Sequence, residues 1–74
     1  MDWHDHITVD DGIQAGRPVI RGTRVTVQVL VGSLAGGMEA DEVCSEYRVT
    51  KEQLHAALAY AADVLATERL VVLQ

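Results

Sequence analysis

Three arginines are gathered in residues 16–25, where apolar residues and a Gly-Thr turn separate Arg17, Arg21 and Arg24. They supply half of the six Lys and Arg side chains of the chain within eight residues. A basic arm of this kind can pair with phosphates or enter the minor groove of DNA beside a helical domain. The sequence therefore predicts nucleic-acid contacts at these arginines, with Arg17 the foremost to reach a partner. The alternative for Arg21 and Arg24 is internal, because bidentate bonds to the chain's own carboxylates and carbonyls would hold the turn together.

A fourth candidate contact is Lys51, at the start of the third predicted helix. The outward positions of that helix combine this cation with acids and small residues, whereas a helix that reads bases carries Arg, Asn or Gln. These positions are Lys51, Glu52, His55, Ala59, Tyr60 and Asp63. We expect the helix to serve dimerisation or contact with a partner protein rather than to read a DNA sequence alone.

Residues with metal-binding or nucleophilic chemistry are few. His4 and His6 alternate and could hold a metal with Asp2 or Asp10, but they lie at the terminus without a scaffold, so an exposed, frayed end is the preferred interpretation. Cys44 falls at an inward position of the second predicted helix and fits a small core residue better than a nucleophile. The glycines form no phosphate-loop pattern, and no acid pair suits general acid–base work. The sequence predicts no catalytic residue, metal site or cofactor.

Composition limits the class of protein further. The 74 residues carry eleven Asp and Glu, and the net charge of −5 excludes a uniformly basic surface that coats DNA. Any contact with nucleic acid must then come from a local basic cluster, and a basic protein is an equally suitable partner for an acidic chain. A single cysteine rules out an intramolecular disulfide, the N-terminus is acidic where a signal peptide would be basic, and no apolar run approaches the roughly 20 residues of a membrane span. We expect one soluble, cytoplasmic domain without a membrane segment.

The elements that must position these residues fall into two parts. Residues 1–25 are rich in Gly, Asp and β-branched residues, and predict short strands at 7–9 and 18–20. Residues 26–67 show helical periodicity and predict three helices. The first begins near Thr26 and ends at the Gly36-Gly37 pair, and the second covers about 40–47. The third runs from about 51 to 66 behind a capping box of Thr50 and Gln53.

The apolar positions of the predicted helices define the core. In the first helix they repeat at the spacing of one amphipathic stripe. In the third helix a similar stripe is expected to continue to Leu65. The stripes comprise Val27, Leu30, Val31 and Leu34 in the first helix, and Leu54, Ala57, Leu58, Ala61 and Leu65 in the third. The short connection between the second and third helices is compatible with a helix-turn-helix.

The C-terminal tail, residues 68–74, changes character again. Its four consecutive apolar residues, Leu70, Val71, Val72 and Leu73, predict either a docking strand for a partner protein or a strand in the sheet of a homodimer. The short N-terminal strands and this tail together predict a homodimer, because one chain of this length has difficulty covering them.

Residues 6–65 resemble the family called domain of unknown function 433. The resemblance depends on the core Gly16-Arg17-Pro18-Val19-Ile20-Arg21-Gly22-Thr23-Arg24, on the following helix that ends in Gly, and on the step through Thr50 into the last helix. It implies a dimeric, homeodomain-like three-helix fold behind a short β segment. Some members look like VapB-type antitoxins paired with PIN-like ribonuclease toxins. Arg48 stands where the family commonly has proline, which is expected to loosen the turn, and Glu39 replaces a Ser-type cap, which is expected to weaken the second helix by about 1 kcal/mol.

These observations predict a mainly α, three-helix helix-turn-helix homodimer with a short N-terminal β element. The resemblance implies an antitoxin that binds a PIN-like toxin and operator DNA. The alternatives are a stand-alone transcriptional regulator and a non-enzymatic structural subunit of a larger assembly.

Overall fold

The computed structural model describes residues 1–67 and confirms the mainly helical fold class with a short N-terminal β element. A three-residue 3₁₀ turn lies between the two strands, and the three helices follow in order. The bounds are β1 Ile7–Thr8, the 3₁₀ turn Gln14–Gly16, β2 Val19–Ile20, α1 Val27–Ala35, α2 Ala40–Tyr47 and α3 Lys51–Thr67.

The two strands pair with each other in the same chain. β1 and β2 are antiparallel, with Ile7 opposite Ile20 and Thr8 opposite Val19. The three apolar side chains of this pairing are all buried, so the strands supply one side of the core. Val9, predicted as the last residue of the first strand, lies outside β1 and is exposed, because the antiparallel pairing ends at Thr8.

The helices meet around a small aliphatic core. Leu30 of α1, Val43 of α2 and Leu54 of α3 are each almost fully buried and belong to one cluster with Ile7 and Ile20. The structure confirms the predicted apolar stripe of α1. Val27 and Leu30 are buried, and Val31 and Leu34 pack against the edge of the cluster. Because the chain has no Phe, the core side chains are small, and all three helices contribute residues to the core.

The buried stripe of α3 differs from the predicted one. Ala56 and Ala57 are fully buried, whereas Leu58 and Leu65, both expected in the core, are 38% and 65% exposed. At Leu58 the reason is rotation, because a helix whose buried side includes Ala56 turns the position two residues later toward solvent. At Leu65 the last turns of α3 lie beside Val27 and Val31 of α1 without closing against them, so this side chain stays in solvent.

Local hydrogen bonds define where the second and third helices begin and end. The Thr50 hydroxyl accepts from the Gln53 N–H at 3.0 Å, and the Gln53 side chain accepts from the Thr50 N–H at 2.8 Å, as the capping box predicts. The expected weakness at Glu39 is offset, because the Glu42 carboxylate accepts from the Glu39 N–H at 3.0 Å. Arg48 ends α2 in a left-handed conformation, with φ 57° and its N–H bonded to the Cys44 carbonyl, so the turn is closed rather than loose.

Candidate functional site

Arg21 is bound by its own chain. Its guanidinium donates from Nη2 to the carbonyls of His4, at 3.0 Å, and Ile7, at 3.2 Å, and from Nε to the carbonyl of Asp5 at 3.2 Å. The backbone of Arg21 adds a bond to the carbonyl of His6 at 2.7 Å. These bonds tie the N-terminal segment to β2, so Arg21 has a structural role, and among residues 1–67 its partners are backbone carbonyls rather than carboxylates.

Arg17 and Arg24 occupy a different surface. Both are exposed, and both line one open concavity of about 760 Å³ along the outer side of α1. We call this surface the arginine face. Within residues 1–67 neither guanidinium makes a hydrogen bond or an ion pair, and the lining includes no Asp or Glu. The lining consists of Gln14, Arg17, Arg24, Val25, Thr26, Gln28, Val29, Gly32, Ser33 and Tyr47.

A left-handed turn positions Arg17. Gln14, Ala15 and Gly16 have φ values of 50°, 57° and 81°, and the turn is closed by the Gly16 N–H to the Ile13 carbonyl at 3.1 Å. Left-handed conformations cost about 1–2 kcal/mol for each residue with a Cβ, so Gln14 and Ala15 are held there by the rest of the fold. The turn ends directly at Arg17 and brings it beside the first turn of α1.

The first and last turns of α1 complete the arginine face. Thr26 caps the helix, because its hydroxyl accepts from the Val29 N–H at 3.1 Å. Near the other end, the Ser33 hydroxyl donates to the Val29 carbonyl at 2.7 Å and lies 3.0 Å from the Tyr47 hydroxyl, which links α1 to the end of α2. Gly32, which precedes Ser33 in the sequence, also lines this face.

A second surface lies between α1 and the last turns of α3. Its volume is about 470 Å³, and we call it the apolar groove. Val64 is 39% exposed and Leu65 is 65% exposed at its α3 side. The lining consists of Arg17, Pro18, Thr26, Val27, Gln28, Val31, Tyr60, Ala61, Val64 and Leu65. Sequence reasoning missed this groove because it placed Leu65 in the core, and no signal in the sequence shows that the space between α1 and the end of α3 stays open.

The two surfaces are neighbours. Arg17, Thr26 and Gln28 line both of them, so the first turn of α1 separates the basic surface from the apolar one. A partner that occupies the groove can reach Arg17 without a change in the fold.

Comparison with known proteins identifies the family. The family described as a protein of unknown function, DUF433, matches residues 7–61. The chain belongs to the DUF433 family. A crystal structure of Rv2018 from Mycobacterium tuberculosis is also similar, with a TM-score of 0.68 and 33% identity over 77% of this chain. The match covers 27% of Rv2018, so this chain corresponds to about a quarter of that protein's length. No curated protein matches the chain.

Lys51 of the DUF433 domain lies apart from the arginine face. Its ammonium is 2.6 Å from the Asp41 carboxylate of α2, and that hydrogen-bonded ion pair raises the pKa of Lys51 above its ordinary value. Glu52 beside it lies 3.0 Å from His6. The start of α3 is therefore occupied by contacts within the chain, and the structure does not bring Lys51 together with Arg17 and Arg24.

The N-terminus of the DUF433 domain packs on α3. The Trp3 indole donates to the Asp63 carboxylate at 2.6 Å and meets the Tyr60 ring edge-on, with centroids 4.7 Å apart. His4 stacks on Trp3 and pairs with Asp2 at 2.6 Å. His4 is exposed, as expected for this terminus, whereas Trp3 is held on α3, because its indole N–H and its ring both find partners there.

The remaining predictions for the DUF433 chain concern metals, membranes and the tail. Among residues 1–67, no three His, Cys, Asp or Glu side chains are grouped so that they could hold a metal ion. No helix in the same range has the length and apolar character needed to cross a membrane. The predicted docking residues Leu70, Val71, Val72 and Leu73 lie outside the described residues, and their role stays a prediction.

Proposed function

We propose that this DUF433 protein is an antitoxin-like, homodimeric binding protein of the cytoplasm that neutralises a PIN-like ribonuclease toxin and catalyses no reaction itself. The observation that carries the proposal is the apolar groove between α1 and α3. Its α3 side presents Val64 and Leu65 to solvent beside the partly buried Val31. Contiguous apolar side chains on a surface are typical of protein–protein contact sites.

The occupant of the groove in this proposal is an apolar segment of the toxin. Each aliphatic side chain that the segment buries contributes up to roughly 1.5–3 kcal/mol before the loss of chain entropy. The net charge of −5 supports encounter with a basic partner, because opposite surface charges raise the rate of association. The predicted docking residues 70–73 follow α3 along the chain and would add to the same contact.

The proposal is tested with two matched substitutions on α3. Val64 and Leu58 are 39% and 38% exposed, but only Val64 lines the apolar groove. The tagged chain is expressed in its native cells, and the proteins that co-purify with it are identified by mass spectrometry. We expect a PIN-like ribonuclease with the native chain and with Leu58→Asp, and its loss with Val64→Asp, because a buried carboxylate would oppose the apolar segment.

Two results would overturn this proposal. Recovery of no ribonuclease with the native chain removes the antitoxin function. Equal recovery with Val64→Asp and Leu58→Asp removes the groove as the contact, provided that both variants unfold at the temperature of the native protein.

A stand-alone DNA-binding regulator is the second candidate function. The arginine face favours it, because Arg17 and Arg24 form a carboxylate-free basic surface on an otherwise acidic chain. Operator binding by the chain in the absence of any toxin distinguishes the regulator from the antitoxin.

A further inference from the structure

We infer that the arginine face is a nucleotide-phosphate site, in which Arg17 and Arg24 hold phosphate oxygens and the outer side of α1, rather than α3, lies against the ligand. The inference deepens the DNA-binding candidate of the proposed function and rests on the arginine face alone; it does not require a toxin, although Arg17, Thr26 and Gln28 line both surfaces. The ligand is a phosphate-bearing nucleotide, whether within a DNA strand or free.

The charge of the lining is the first argument. The chain has eleven carboxylate side chains and six cationic ones, yet among residues 1–67 the lining of the arginine face contains two arginines and no carboxylate. This surface is therefore positively charged although the protein as a whole is acidic. At physiological salt the screening length is about 8 Å, so charges that line the concavity act on a ligand there more strongly than distant charges do.

The donors that remain free fit a phosphate. The guanidinium groups of Arg17 and Arg24 have no partner within residues 1–67, and a planar fork of N–H donors matches two oxygens of one phosphate. The amide side chains of Gln14 and Gln28 line the same concavity and can donate alongside them. Arg21 supplies the contrast, because its donors are already bound to three carbonyls of the chain.

Gly32 is the second, independent argument. A glycine inside a helix lowers stability by roughly 0.5–1 kcal/mol relative to alanine. A Cβ added at Gly32 would meet no atom within 4 Å in the described part of the chain, so the packing of α1 does not require glycine there. Gly32 lines the arginine face, and the absence of a side chain lets a ligand approach the helix backbone closely.

The remaining lining favours a nucleotide over a simple anion. Tyr47 lines the concavity and packs on the edge of the core, and its hydroxyl lies 3.0 Å from the Ser33 hydroxyl beside α1. Bases stack on aromatic side chains in sites that bind nucleic acid without reading its sequence. The concavity is open and has a volume of about 760 Å³, which suits a ligand that lies along the surface.

The test measures binding of the full chain to three probes. They are a short fluorescein-labelled DNA strand, its duplex, and AMP, whose binding is measured by calorimetry and by competition with the labelled strands, all at low salt. We expect Arg17→Gln and Arg24→Gln each to weaken binding roughly tenfold and to reduce the salt slope by about one, as the loss of one charged phosphate contact does. Arg48→Gln, which removes an exposed arginine outside the concavity, is the matched control and should bind normally.

A second pair of variants tests the approach to α1. Gly32→Gln fills the concavity and should weaken binding at least tenfold without lowering the unfolding temperature. Ala35→Gln places the same side chain on an exposed α1 position outside it and should bind normally. Preference for duplex identifies DNA of operator type as the source of the phosphate, preference for the single strand identifies an unpaired strand, and competition by AMP identifies a free nucleotide.

The inference is overturned by either of two results. One is the absence of binding to all three probes at low salt. The other is binding that Arg48→Gln or Ala35→Gln weakens as much as the variants of the arginine face do.

Discussion

The N-terminal segment has little regular secondary structure but is held firmly by the rest of the fold, whereas the last turns of α3 are regular helix with an exposed apolar side chain. Residues 1–25 contain two strands of two residues each, yet Ile7 and Ile20 are buried and the Arg21 guanidinium binds three carbonyls. The end of α3 is an uninterrupted helix, yet Leu65 is 65% exposed. Tertiary contacts, and not regular secondary structure, therefore decide which part of this small domain is anchored in its own fold. The helix end remains available to a partner.

The largest expected effect contrasts two aliphatic truncations, Ile20→Ala and Leu65→Ala. Ile20 is fully buried at the base of the core, so its truncation should lower the free energy of unfolding by about 2–5 kcal/mol. Leu65→Ala should change it by less than about 0.5 kcal/mol, because the side chain is mostly in solvent. Urea unfolding followed by circular dichroism measures both. Equal losses of stability would mean that the end of α3 contributes as much to the fold as β2 does.

The next effect contrasts two arginines, Arg21 and Arg17. Arg21→Ala should lower stability by about 2 kcal/mol, because three bonds from a charged donor are lost, and this corresponds to a fall of about 10 °C in Tm. Arg17→Ala should leave Tm within about 2 °C of the native protein, since it makes no bond within residues 1–67. Thermal unfolding of the two variants decides it, and an Arg21→Ala protein with native Tm would refute the structural role of Arg21.

A smaller effect is expected from truncation after Thr67. Light scattering of the native chain should give twice its mass of 8.0 kDa at micromolar concentration. The truncated protein should remain a dimer, with twice the mass of the shortened chain, and keep the native Tm, but it should lose its ribonuclease partner. A truncated protein that becomes monomeric would assign the tail to the homodimer, and a monomeric native chain would remove the homodimer altogether.

The smallest expected effect is a pH dependence at the N-terminus. Hydrogen bonds from the His4 backbone and side chain lower the pKa of Asp2 below its ordinary value of 3.8. The contribution of this carboxylate is therefore present above about pH 3.8 and is lost as the pH falls through the lower pKa of the folded state. Comparison of Tm for the native protein and Asp2→Asn across this range should show a slightly steeper acid loss in the native protein. Superimposable curves would contradict the pairing with His4.

Local patterns predicted the helices well because they depend on neighbours in the sequence. The spacing of apolar residues indicated α1, and the pair Thr50 and Gln53 marked the start of α3. The exposure of Leu65 could not be predicted in this way, because it depends on how closely α1 packs against the end of α3 in space. The left-handed turn at Gln14 and Ala15 was missed for a similar reason, since neither residue favours that conformation without tertiary support.

The candidate site was also predictable only where it depends on residues that are close together in the sequence. The clustering of arginines in the sequence indicated where basic surface would lie, and Arg17 and Arg24 do line one concavity. The sequence could not show that Arg21 has a structural role, because its guanidinium binds the carbonyls of His4 and Ile7, about fifteen residues away along the chain. The engagement of Lys51 likewise depends on Asp41, which α2 brings to it.

Neutralisation of a ribonuclease through the exposed end of α3 is tested most directly by RNA cleavage, measured with the purified ribonuclease in the presence of the purified chain. We predict complete inhibition near equimolar native chain and by Leu58→Asp, with cleavage restored when Val64→Asp is used instead. Undiminished cleavage in the presence of excess, folded native chain would contradict the proposed function.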